Sequence, residues 1–364
     1  MKIKEIIDAL EEFAPLSLQE TYDNAGLITG SPDDEFKAAI LAIDTTEDVV
    51  DEAVKKGANL IISHHPIIFS GLKKLNGKNY IERTIIKAIK NDIAIYAAHT
   101  NMDNVYSGVN AQICKKLALK NCKILSAQKA VLKKLVTFVP VEHADTVRKA
   151  VFEAGAGHIG NYDSCSYNLS GKGSFRALEG SNPFVGKQGE IHFEDEIRFE
   201  TIFPKYKQSQ IIKALLNSHP YEEVAYDIYP LDNTYEKTGA GMIGELEKAL
   251  PEKDFFDIIK KVFNISCIRH TELLNKDIKR VAICGGSGSF LLSDAIKQSA
   301  DIFISGDFKY HQFFDAEKRI IIADIGHYES EQYTKELFYD ILTKKFPTFA
   351  FYFSEINTNP VKYY

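Results

Sequence analysis

Short apolar runs alternate with amphipathic stretches along the first third of the chain. AAILAID (38–44), ANLIISHHP (58–66) and DIAIYAAHT (92–100) are separated by TEDVVDEAVKKG and NYIERTIIKAIKND, whose apolar positions recur at three- and four-residue spacing. Strand-sized runs alternating with helices of this length predict an α/β sheet. The opening MKIKEIIDALEEFAPL reads as an amphipathic helix. The same alternation returns near the end, in DIKRVAICGGSGS, SADIFISGD, KRIIIADIG and the long helical SEQYTKELFYDILTKKF. The middle has a different rhythm. LKKLVTFVP, HADTVRKAVFEAGAG, CSYNLSGKGSFRAL, EIRFETIFPKY, KQSQIIKALLNSHP and EEVAYDIYPL follow one another as β-α-β-β-α-β, the order of a ferredoxin-like split unit. The expected fold class is therefore α/β: a split α/β metal-binding domain, 1–126 plus 233–364, carrying an inserted ferredoxin-like domain at 127–232. Three tandem domains are the alternative, and pairing of ligands across the split is what separates the two.

Composition narrows the picture. The 364 residues suit two or three domains, and 45% hydrophobic with 26% charged residues is enough apolar material for packed cores. The net charge of −6 disfavours sequence-independent nucleic-acid binding, which needs many cations against phosphates. No run approaches the ~20 apolar residues of a membrane span, and acidic residues inside the first helix disfavour a signal peptide. The five cysteines are odd in number and form no CxxC pair. A disulfide framework is thus not expected, a reducing cytoplasm is the simplest location, and any metal should be held by His and carboxylates.

Three sequences place such groups just after an apolar strand. His64-His65-Pro66 follows NLIIS; His99-Thr100-Asn101-Met102-Asp103 follows IAIYAA; Gly326-His327-Tyr328-Glu329-Ser330-Glu331 follows RIIIADI. Each alone reads equally well as a polar turn or a helix start. Together they put donors at the carboxyl ends of predicted parallel strands, where open α/β sheets bind ligands. His327 and Glu331, four apart, share one face of a helix. His64, His65, Asp103, His327 and Glu331 make five donors, more than one closed zinc site needs and suited to two divalent ions bridged by a carboxylate. Zn, Fe, Mn, Co and Ni all fit imidazole with carboxylate. His99 and His311 are candidates for proton transfer. Cys284-Gly285-Gly286-Ser287-Gly288-Ser289 reads as a tight turn at the cavity, without the Lys-Ser/Thr of a phosphate loop. Tyr22-Asp23-Asn24 and Ser305-Gly306-Asp307 are further candidates to line or support it.

The segments ETYDNAGLITG (20–30), SHHPIIF (63–69), AAHTNMD (97–103), GGSGS (285–289), DIFISGDFKYHQFFDA (301–316) and DIGHYESE (324–331) closely resemble the NIF-three-like family, whose members also carry the name GTP cyclohydrolase 1 type 2 homolog. The resemblance covers the two outer segments, roughly two-thirds of the chain. It implies a dinuclear metal site with the same five ligands and a toroidal homohexamer. The middle segment resembles the PII/CutA-like insert of longer bacterial members. The expected function is a metal-dependent hydrolase acting on a nucleotide or another small phosphorylated or cyclic-amide molecule, GTP ring opening being the named possibility. The alternative is a non-catalytic metal-binding or metabolite-sensing regulator.

Overall fold

The apolar runs become the inner strands of two sheets. In the computed structural model, which describes Met1–Tyr364, Ala38–Ala42, Leu60–Ser63, Ala94–Ala97 and Ala350–Phe353 are parallel neighbours, and Gly26–Thr29 closes one edge antiparallel to Ala94–Ala97. Every residue of the first three strands is buried, as expected where both faces of a parallel sheet are covered. One face packs on the helices Glu47–Lys56 and Tyr80–Lys90 through Ile40, Ile61, Val49, Ala53 and Ile85. Thr46 and Asn79 cap these helices, each side chain accepting from a backbone N–H in the first turn.

A second sheet holds Ile278–Ser287, Ile302–Gly306 and Ile321–Asp324 in parallel, flanked by antiparallel Arg269–His270 at one side and by Tyr235–Leu250 and Lys120–Gln128 at the other. Leu41, Leu60 and Ile62 of the first sheet and Ile283, Ile302, Ile304 and Ile321 of the second share one core with the helices Ile3–Phe13, Glu252–Phe263 and Thr334–Lys345. Each fully buried Leu or Ile there contributes about 1.5–3 kcal/mol.

Register lines up the strand ends. Ala42 pairs with Ser63 and Ser63 with Ala97, while Ser305 pairs with Asp324. The residues that follow each strand therefore emerge side by side. No helix is long and apolar enough to cross a membrane.

The chain divides into two units, Met1–Ala127 with Glu236–Tyr364, and Gln128–Tyr235. The second unit runs strand, helix, strand, strand, helix, strand: Leu132–Pro140, Ala144–Glu153, Ser166–Arg176, Ile191–Pro204, Gln208–Ser218 and Tyr226–Pro230. Its four strands form one antiparallel sheet. Leu135, Val139, Phe199 and Phe203 pack against Val147, Val151, Ile211 and Leu215 of its helices as a separate core.

Candidate metal centre

Four histidines are oriented by one device. His64, entirely buried, donates from Nδ1 to the Ala98 carbonyl at 2.9 Å. His65 donates from Nδ1 to Asp44 at 2.8 Å, and Asp44 itself follows the strand Ala38–Ala42. His99 donates from Nδ1 to Asp23 at 2.7 Å, while Asp23 also accepts from the Thr100 N–H (3.0 Å) and hydroxyl. His327 donates from Nδ1 to Asp307 at 2.7 Å. An acceptor behind each ring fixes the proton on Nδ1 and leaves Nε2 as the inward-facing atom, the arrangement that orients metal-binding imidazoles.

The Nε2 atoms of His64, His65 and His327 converge on Glu331. Its Oε2 lies 2.9 Å from His65 Nε2 and 3.2 Å from His327 Nε2, and those two nitrogens are 3.1 Å apart. Its Oε1 lies 3.5 Å from His64 Nε2, which is 3.6 Å from Asp103 Oδ1. The two oxygens of one carboxylate thus face two donor sets, His65 with His327 and His64 with Asp103. Three groups have mutual donor distances within 4.8 Å: His64, His65 and His99; His65, His327 and Glu331; His64, Asp103 and Glu331.

These residues fit a cation. His64 Nε2 and Asp103 Oδ1 are buried and have no hydrogen-bond partner. An unsatisfied buried polar atom costs about 1–3 kcal/mol, and both atoms sit where a shared positive charge would satisfy them. The donors are imidazole and carboxylate, as borderline divalent ions prefer. Cys284 lines the cavity, but burial first, and the nearby Asp103 and Glu331 next, push its thiol up, away from the thiolate that ligation needs.

The glycine-rich turn serves this carboxylate. Gly286 has φ 61°, and a Cβ there would run into Glu331 Oε1. The Gly286 N–H donates to Ser330 Oγ at 2.9 Å, and its carbonyl accepts from Ser305 Oγ at 3.0 Å. The loop is therefore a cradle for the helix His327–Glu331.

Electrostatics follow from this packing. Burial alone would lower His65 and His327, but hydrogen bonds to Asp44 and Glu331 raise His65 to about 9, and those to Asp307 and Glu331 raise His327 to about 11. His64 is also raised, the Glu331 and Asp103 charges outweighing its burial. Burial would raise Glu331, yet the surrounding imidazoles hold it well below the usual carboxylate range. Burial raises Asp103. Without metal, His65 and His327 are imidazoliums beside an ionised Glu331.

The donors open into a cavity of about 390 Å³ lined also by Glu20, Tyr22, Phe69, Gly285 and Phe290. The structure brings His64, His65, Asp103, His327 and Glu331 together and adds His99 to them. His311 lies exposed on the helical turn Tyr310–Ala316 against Tyr310 and Phe314, outside the cavity lining. Sequence reasoning missed Asp44 as an orienting residue, although it follows an apolar strand as the histidines do. It also missed Phe69, Phe290 and Thr358, whose hydroxyl donates to Asp44 at 2.5 Å.

Comparison with known proteins identifies the family of the chain. The family model Duf34/NIF3 (NGG1p interacting factor 3) matches residues 1–360. The chain belongs to the Duf34/NIF3 family. Among relatives carrying the name "GTP cyclohydrolase 1 type 2 homolog", that of Halalkalibacterium halodurans is 41% identical over 324 residues, 88% of this chain and 87% of its own. That of Bacillus subtilis is 38% identical over 363 residues, 98% and 97% of the two chains. A solved Bacillus cereus protein related to NIF3 superposes with TM-score 0.88 at 38% identity, covering 100% of this chain and 99% of the other. The Duf34/NIF3 assignment therefore spans both outer segments and the unit between them.

Proposed function

We propose that this Duf34/NIF3 protein holds two divalent metal ions, Glu331 spanning both, and acts as a metal-dependent hydrolase. The observation that carries the reading is the split of Glu331: Oε2 faces His65 and His327, and Oε1 faces His64. Asp103 completes the second set. Two ions held by these residues would supply Lewis-acid polarisation and an activated water.

The protein's own residues do the rest. Asp44 and Asp307 hold protons at Nδ1 of His65 and His327, so both Nε2 atoms stay directed at the centre. The Ala98 carbonyl does the same for His64. His99, with Asp23 behind it, presents Nε2 beside His64 and His65 and moves a proton there. The shared name of the relatives supports a small nucleotide or cyclic-amide substrate. The element order of Gln128–Tyr235 supports a ferredoxin-like, PII/CutA-like insert. The family resemblance supports a cytoplasmic homohexamer, and sedimentation of the full chain tests the oligomeric state.

The decisive experiment incubates metal-loaded protein with a panel of nucleotides, phosphoesters and cyclic amides. Turnover lost in His64→Ala and Glu331→Ala is the expected result. No turnover above those controls would sink the hydrolase.

A further inference from the structure

Three aromatic side chains surround the mouth of the metal cavity and are exposed to water: Tyr22 at 62%, Phe69 at 50% and Phe290 at 67%. They come from three separate segments: Tyr22 from the loop after Leu16–Leu18, Phe69 from the loop after Leu60–Ser63, and Phe290 from the helical turn Ser289–Leu291. Tyr22 and Phe69 lie nearly parallel, their planes 24° apart and their centroids 6.4 Å apart, and form one wall. Phe69 also stands edge-on to His99 at 5.8 Å, which joins that wall to the donor cluster. Aromatic rings left uncovered beside a cavity full of polar donors are suited to stacking on a flat ring.

Charge and size set the kind of ring. Outside the metal donors the lining carries the Glu20 carboxylate and no Lys or Arg, so a phosphate lying beyond the metal centre would meet no cation. Phosphate recognition ordinarily draws on Arg forks, Lys or helix N-termini. The volume of about 390 Å³ lies near the lower end of small-molecule sites, roughly 300–1,000 Å³. It suits a bicyclic base or nucleoside better than a triphosphate. Glu20 uses Oε1 to accept from Asn104 at 3.0 Å. Its second oxygen can accept from the N–H edge of a bound heterocycle.

We propose that the mouth of this cavity is a stacking site for an uncharged, planar bicyclic nitrogen heterocycle, taken as the free base or nucleoside in preference to its polyphosphate. The proposal rests on the reading of the cavity as a substrate site and narrows the substrate to a ring presented by Tyr22, Phe69 and Phe290.

The chain has no tryptophan, so Phe290→Trp places a single reporter on the rim. Its emission is followed while the full-length protein is titrated with adenosine, guanosine and pterin, and then with ATP and GTP at fixed ionic strength. Metal content is measured on the same samples. The expected result is saturable quenching by at least one uncharged ring, with the triphosphates binding no tighter. Adding Tyr22→Ala and Phe69→Ala should weaken that binding roughly tenfold or more, with metal content unchanged; Phe69→Tyr should restore it in the Phe69→Ala position. The proposal is overturned by no saturable quenching from any of the three rings, by tenfold tighter triphosphate binding, or by unaltered binding in the double alanine variant. Ring binding by protein that takes up no metal would reject the metal centre and leave the stacking site standing. Metal uptake without ring binding would do the reverse.

Discussion

Four imidazoles at this centre each need a partner on the far side of the ring, and three of those partners are aspartates. Removing one frees the ring to rotate and removes the acceptor that fixes its proton. Asp44→Ala and Asp307→Ala should each weaken metal affinity about 10- to 100-fold, read by competition against a chelator; unchanged affinity would contradict the orienting role. Protonation gives a second residue-scale prediction. His65 stays protonated up to about pH 9 and His327 to about pH 11 without metal. A metal needs the neutral ring, so binding at pH 7 must expel protons and affinity must fall as pH falls, about tenfold per unit for each proton displaced. Calorimetry in buffers of different ionisation enthalpy should show net proton release on metal addition, and none would refute it. In the sequence, His64, His65, Asp103, His327 and Glu331 were visible because each follows an apolar strand. Asp44 stands in the same kind of position, but an Asp after a strand is also an ordinary turn residue. His311 shows the converse: a His soon after a strand, carried by a helical turn onto the surface.

At the scale of elements, the legible strands are those buried on both faces. LIIS, AIYA, IFISG and IIAD are unbroken apolar runs because helices or a second sheet cover them. Tyr235–Leu250 is an antiparallel strand of 16 residues containing three glycines and five charges, so it shows no clean period in the sequence. The turn Cys284–Ser289 reads in the sequence as a tight turn at a cavity; its packing against Glu331 is a long-range contact that no local pattern marks. Gly286→Ala meets both a positive φ and that carboxylate. It should destabilise the fold by about 1–3 kcal/mol in urea denaturation and lower metal occupancy, whereas wild-type stability with full occupancy would refute the cradle. The segment after Ala350–Phe353 is a second support. Thr358 bonds Asp44, and Asn359 Nδ2 donates to Glu329 at 2.8 Å. Thr358→Val should weaken metal binding roughly 2- to 10-fold, the worth of one hydrogen bond, with an unchanged urea midpoint. Equal affinity in chelator competition would show that the tail plays no part.

Across the whole chain, the centre joins segments that are far apart in sequence. His65 meets Glu331 across 266 positions, with Gln128–Tyr235 between them as a unit with its own core. The two strands that lead out of and back into the split unit, Lys120–Gln128 and Tyr235–Leu250, are neighbours in one sheet. An insertion with adjacent ends adds little closure entropy, since each doubling of loop length costs only about 0.6 kcal/mol. The α/β alternation of the outer segments is legible in the pattern; the proposed substrate is not, because its determinants are exposed aromatics that no periodicity marks. The central claim is a pair of metal ions sharing Glu331. It is tested most directly by metal counting on full-length protein after equilibrium dialysis against excess divalent ion. Two ions per chain in the wild type and at most one in Glu331→Ala is the predicted result; a wild type holding one or none, or a Glu331→Ala variant that still holds two, would contradict it.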